Sequence, residues 1–142
     1  MTRKLKGKPS HLLVFVSHAS SDKWIAKRIC EQFDSIPGVA TFRDDRDIEG
    51  GEDIPKKLKV ELAKADLLVV LLTPESHGRA WVLVEVGAYW GKPGKDRPIL
   101  PVTCHIDEDR VPEMLKRQKR VSLNDLDLFV EQLRRKQIGA GS

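Results

Sequence analysis

Two cysteines are all that this chain carries. Cys30 and Cys104 stand in unrelated contexts and make no C-x-x-C pair, so neither a disulfide framework nor a structural zinc site is indicated, and reduced thiols are the expectation. Long apolar runs are missing too. The longest, Leu67 to Leu72, is far below the about 20 residues that a membrane-spanning helix needs, and the basic N-terminus leads into no apolar stretch of signal-peptide length. A soluble, cytoplasmic protein with no membrane partner is therefore expected. The chain has no extended low-complexity tract and no internal repeat, and its balance of 40% hydrophobic and 32% charged residues sets aside disordered, collagenous and coiled-coil classes.

A strong excess of one charge is also lacking. The 25 Lys and Arg residues against 21 Asp and Glu leave a net +4, too little to indicate a nucleic-acid binder. The distribution is uneven, however. Arg3, Lys4, Lys6 and Lys8 make residues 1–10 a basic tail, read as solvated because no aromatic residue is interleaved to stack bases; nucleic acid is not an expected partner. Between Arg43 and Asp53 six acids (Asp44, Asp45, Asp47, Glu49, Glu52, Asp53) face two arginines, a local net charge of −4.

What the chain does have, in a length suited to one domain with a sizeable core, is an alternation of five short apolar runs with helix-like segments. That order is the mark of a parallel sheet covered on both faces. The first strand is Leu12 to Val16. Ser20 or Ser21 caps a helix with Ile25, Ile29 and Phe33 on one stripe, and Pro37-Gly38 turns the chain. Strand two, Val39 to Phe42, is short and near an edge. After the acidic loop, Asp53 is the expected N-cap of a helix with Pro55 in its first turn and Ile54, Leu58 and Leu62 facing inward.

Strand three, Leu67 to Leu72, is apolar on both faces and so central. Thr73-Pro74 ends it, and a helix is expected from about Ala80 to Trp90. Pro98 and Pro101 around strand four, Ile99 to Val102, suggest an edge or a bulge. Strand five is read at Lys119 to Leu123, and Asn124 or Asp125 caps a last helix carrying Leu126, Phe129, Val130 and Leu133 inward. Residues 138–142 read as a flexible tail or linker, which makes a sensor domain in a longer chain one of the expected partners.

Right-handed crossovers give this succession an α/β, flavodoxin-like open parallel sheet of about five strands in the order 2-1-3-4-5, with helices on both faces. Ligands of such sheets bind outside the carboxyl ends of the strands, where the order reverses between strands one and three. Ser17-His18, Arg43 onward, and Thr73 into the following helix are thereby placed at the crevice.

One residue stands out in that region. Ala80 to Trp90 is apolar nearly throughout except for Glu85, and a buried carboxylate without partners costs several kcal/mol. A structural ion pair with Arg43, Arg79 or Arg97 would account for it. So would a site, because Trp81, four residues earlier, shares its helix face, and a carboxylate beside an indole suits a ligand that is cationic, hydroxylated and aromatic.

The run Val14-Phe15-Val16-Ser17-His18-Ala19-Ser20-Ser21-Asp22, the loop from Phe42-Arg43-Asp44 to Gly50-Gly51, the spacing Trp81-x-x-x-Glu85-Val86-Gly87 and the strand Pro98-Ile99-Leu100-Pro101-Val102 together resemble a Toll/interleukin-1 receptor (TIR) domain of the bacterial type, over residues 11–137. The resemblance implies cleavage of NAD+ at the nicotinamide–ribose bond, with Glu85 as the catalytic glutamate. Trp81, Ser17, His18, Arg43, Asp44 and Ser76 are the substrate-binding candidates that go with it. Asp45, Asp47, Gly50 and Gly51 fall in the loop that makes contacts between TIR protomers. Relatives often carry a serine shortly before the tryptophan, where this chain has Arg79-Ala80 and its nearest serine is Ser76. NAD+ is then the substrate, no separate cofactor is called for, and other TIR domains are the expected partners in a homo-oligomer or filament. A non-catalytic TIR scaffold is the alternative.

Other chemistry fits less well. Adjacent Ser17 and His18 with Asp22 nearby do not make a triad, since neighbours in sequence cannot easily present nucleophile to base and no G-x-S-x-G surrounds them. Cys104-His105 lacks further ligands at metal spacing, so no metal is expected. Gly91-Lys92-Pro93-Gly94-Lys95 follows a helix and has the wrong spacing for a phosphate loop. A receiver domain of the same fold would need its acid pair after strand one, whereas Asp44-Asp45 follows strand two.

Overall fold

The computed structural model describes residues 12–43, 56–76, 89, 98–116 and 118–141. Five parallel strands run in the order β2-β1-β3-β4-β5: β1 Leu12–Ser17, β2 Val39–Arg43, β3 Leu67–Leu72, β4 Ile99–Thr103 and β5 Val121–Ser122. The expected topology is the observed one, with β2 at an edge and β3, buried at every position, in the middle.

The sheet separates two cores. On one face Val14, Val16, Val69 and Leu71 pack with Ile29 and Phe33 of α1, Lys23–Asp34, and with Leu126 and Val130 of the last helix, α3, Leu126–Gly141. On the other, Phe15, Leu68, Val70 and Leu72 meet Leu62 of α2, Lys56–Lys64, together with Tyr89 and Leu115. The period of two in β1 and β3 sends alternate side chains to these faces, and burying each large one contributes roughly 1.5–3 kcal/mol. Tyr89 alone of the expected helix 80–90 is described; it is helical and wholly buried, with its hydroxyl donating to Pro98 O at 3.0 Å.

Several expectations change. β4 lies inside the sheet and is not an edge strand. Cys104 N donates to Leu72 O, so by alternation the even-numbered amides of β4 face β3 and Pro101 turns its missing N–H toward β5. There β5 spans only Val121–Ser122 and pairs with Val102 and Thr103, so the proline deletes no ladder bond. Neither Ser20 nor Ser21 caps α1: both belong to a 3₁₀ turn, Ser20–Asp22, with no side-chain cap. Another 3₁₀ turn, Leu123–Asp125, precedes α3, and the side chain that caps it is Ser122, not Asn124 or Asp125: its Oγ accepts from Asn124 N. α3 continues to Gly141, so residues 138–141, expected as a flexible tail, form its last turn.

The turn before β2 needs Gly38, whose φ of 82° is open to glycine at no steric cost. At the amino ends of the strands Asp66 Oδ2 accepts from Leu13 N at 2.9 Å while Asp66 N donates to Leu13 O at 2.8 Å. This exchange fixes the register of β1 against β3, which pairs Val14 with Leu67 and Ser17 with Val70.

Candidate active site at the carboxyl ends of the strands

The order reverses between β1 and β3, so the chains leaving these two strands diverge and leave a crevice between them. Ser17 closes β1 and His18 follows it, each 1% exposed. His18 Nδ1 lies 2.7 Å from Ala19 O; a carbonyl can only accept, so Nδ1 carries the proton. The backbone then makes the 3₁₀ turn, with Asp22 N donating to Ala19 O at 2.9 Å, and Asp22 is turned inward, 7% exposed.

From β3 the chain passes into Thr73 and Ser76, 3% and 0% exposed. Thr73 Oγ1 donates to Asp22 Oδ2 at 2.6 Å and accepts from Glu75 N at 3.1 Å and Ser76 N at 3.2 Å. Ser76 Oγ donates to Leu71 O at 2.7 Å and accepts from Thr73 N at 2.9 Å. Ser76 N is shared with Thr73 O at 3.1 Å, and the network links the exit of β1 to the exit of β3.

Cys104, just past β4, lies at the same end of the sheet. Burial first, and the negative charge of Asp22 second, push its thiol above the ordinary range. His105 beside it takes a φ of 59°, the left-handed region uncommon for a residue with a Cβ. Among the described residues no three His, Cys, Asp or Glu side chains come together to hold a metal ion.

Of the substrate-binding candidates, the structure brings Ser17, His18 and Ser76 to this end of the sheet, with the Ser76 hydroxyl engaged by the backbone. Arg43 ends β2 at the sheet edge, where it lines a cavity of about 480 Å³ with Lys27 and Cys30 of α1. The larger cavity, about 560 Å³, lies away from the crevice, between β4, β5 and α3, with Leu100, Arg120 and Phe129 in its wall. Glu85, Trp81, Asp44, Asp45, Asp47, Gly50 and Gly51 lie outside the described residues. Sequence reasoning placed Thr73 at the crevice but missed its bond to Asp22 and the role of Asp22. The hint was available in Thr73-Pro74-Glu75-Ser76, hydroxyls three apart at a strand end, where such side chains bond the following backbone.

Among the described residues no helix is long and apolar enough to cross a membrane. None of the curated proteins matches the chain. Among solved structures it is similar to the TIR domains of the activated Roq1 resistosome directly recognizing the pathogen effector XopQ: the identity is 19%, the match covers 89% of this chain and 81% of that one, and the TM-score is 0.56. At that identity the likeness speaks for the fold. The sequence pattern of the TIR domain matches residues 14–136, nearly the whole chain, and with the observed sheet order it shows that this protein belongs to the TIR-domain family.

Proposed function

We propose that the chain is a TIR-type NAD+ glycohydrolase, cleaving the bond between nicotinamide and ribose in intracellular immune or antiviral defence signalling and activated by self-assembly. The observation that carries this reading is Glu85, the single charge in the apolar run Ala80 to Trp90, within the span that matches the TIR family. A pure scaffold has no need of a carboxylate there.

One carboxylate suffices for this chemistry. A glycoside hydrolase needs two because an alkoxide leaving group must be protonated as it departs. Nicotinamide in NAD+ is already cationic and leaves neutral, so only the oxocarbenium-like ribosyl centre requires stabilisation, and an ionised carboxylate near it supplies that electrostatically. Trp81, four residues before Glu85, carries the kind of side chain, an indole, that suits stacking with the departing aromatic ring. Attack by water then gives hydrolysis, and attack by the adenine of the substrate gives cyclisation.

A second reading, a non-catalytic module that assembles with other TIR domains through the loop from Arg43 to Asp53, is favoured by the net −4 of that loop and by the likeness to TIR domains of an activated resistosome. Incubation of the purified protein with NAD+ and chromatography for free nicotinamide separates the two. The expected result is release by the wild type and a loss on the order of 10²–10³ in rate or more for Glu85→Gln. Unchanged turnover in a folded Glu85→Gln protein would overturn the catalytic assignment, and a wild type that releases no nicotinamide at any protein concentration leaves the scaffold.

A further inference from the structure

We infer that Asp22 and Thr73 form a clamp across the switch point of the sheet that positions the NAD+-cleaving site, which makes both of them positioning residues; the inference rests on the NAD+ reading above. Asp22 belongs to the turn leaving β1 and Thr73 to the chain leaving β3, the two segments that part at the crevice. Their side chains meet at 2.6 Å across 51 residues of sequence. That bond sets how far apart the two exits stand.

The energetics single this pair out. A carboxylate 7% exposed is costly to bury, by several kcal/mol after relaxation, and the described partner of the Asp22 carboxylate is one hydroxyl. A hydrogen bond to a charged group returns roughly 1.5–3 kcal/mol. That return is smaller than the cost of burying the charge, so stability alone gives little reason for a carboxylate at this place.

Direction supplies the reason. Because the Asp22 oxygen can only accept, it fixes the Thr73 hydrogen toward itself and turns both Thr73 lone pairs to the amides of Glu75 and Ser76. Ser76 is fixed in turn by Leu71 O and Thr73 N. The path of the chain beyond β3 is thus set from the β1 side, and Glu85 is nine residues past Ser76 in that same chain. Misplacement of about 1 Å at a reacting group can cost 10²-fold in rate, so a clamp at the root of this segment acts on turnover without touching substrate.

The test is steady-state NAD+ cleavage by variants shown to be folded at the assay temperature. Asp22→Ala and the isosteric Thr73→Val should lower kcat at least about 10-fold with KM within about 3-fold, the split expected when positioning of the reacting group is lost. Asp22→Asn and Thr73→Ser, which keep an acceptor and a hydroxyl, should stay within about 3-fold of the wild type in both constants. Should the truncated chains not fold, Asp22→Glu keeps charge and acceptor but lengthens the arm by one methylene, and it should show the same fall in kcat. Wild-type kcat per folded molecule in Asp22→Ala and Thr73→Val, or in Asp22→Glu where it stands in for them, overturns the inference, as does failure of Asn and Ser to preserve activity. A wild type that releases no nicotinamide removes the NAD+ reading and this inference together, whereas an active wild type with indifferent variants removes the clamp alone.

Discussion

Arg134 in α3 grips Ser35 at the end of α1: Nη1 donates to Ser35 O at 3.0 Å and Nη2 to Ser35 Oγ at 2.9 Å, across 99 residues of sequence. Ser35 is the C-cap of α1, where carbonyls lack helical partners, and a guanidinium there also suits the negative end of the helix. Phe33 and Phe129 pack edge-on beneath, ring centroids 6.3 Å apart. The two helices are thus joined by a polar fork over an aromatic pair. Arg134→Ala should lower stability by about 1 kcal/mol, read as a shift of the urea midpoint at constant slope, and Arg134→Lys should recover only part of it because an ammonium cannot fork. An unchanged midpoint in Arg134→Ala would refute this.

The thiol of Cys104 gives a pH-dependent reading of the surroundings of Asp22. Its raised pKa, from burial and then from Asp22, means that the folded state favours the neutral thiol. The stabilisation this gives is complete below the ordinary thiol range of about 8.5 and is lost as pH rises through the higher folded value. Alkylation of Cys104 in the native protein, followed by peptide mass spectrometry to separate it from Cys30, should set in at higher pH than in the unfolded chain. Asp22→Asn should move the onset partway back, since burial is the larger cause. Equal onsets in native and unfolded protein would disprove the shift.

Much of the fold was legible because its signals are local. Six consecutive apolar residues in β3 required cover on both faces, and the stripe of Ile29 and Phe33 required a sheet beneath it, so the strand order followed from handedness. Pro101 misled because proline reports only a missing N–H; the direction of that N–H depends on register and on the shortness of β5, which are properties of the pairing. The hydroxyls of Ser20 and Ser21 are good caps by type, yet the 3₁₀ turn they belong to sends Asp22 to Thr73, a contact across 51 residues that no local pattern encodes. The residue proposed as catalytic, Glu85, stood out from its surroundings in sequence alone, because a lone charge in an apolar run is anomalous in any fold.

Trp81 tests whether the residue four before Glu85 belongs to the site or to the core. Trp81→Ala should cut nicotinamide release strongly while the melting temperature moves little, the behaviour of a pocket wall. A core indole would cost roughly 3–5 kcal/mol on truncation, a large part of the 5–15 kcal/mol that holds a typical domain together. A large loss of stability with residual turnover intact would place Trp81 in the core.

Activity should depend on assembly. β2 is an edge strand, and Arg43, its last residue, leads into the acidic loop that ends at Asp53. A net −4 carried by eleven residues in a chain whose overall charge is +4 makes the rest of the molecule strongly basic, so copies attract loop to body. Such a contact joins two different surfaces, and head-to-tail contacts that do not close into a ring generate filaments. A neighbour packed over the crevice would exclude water and strengthen the field of Glu85 at the ribosyl centre. Specific activity should therefore rise with protein concentration, and fusion to an oligomeriser should raise it at low concentration. Added salt should weaken the effect, because exposed charges are screened within about 10 Å at 0.1 M. Charge reversal by Asp45→Lys with Asp47→Lys, in the loop expected to contact a neighbouring protomer, should blunt the rise while leaving the slow basal rate. Rates strictly proportional to enzyme concentration, across a range where light scattering shows monomer becoming oligomer, would rule out activation by assembly and leave a self-sufficient monomeric site.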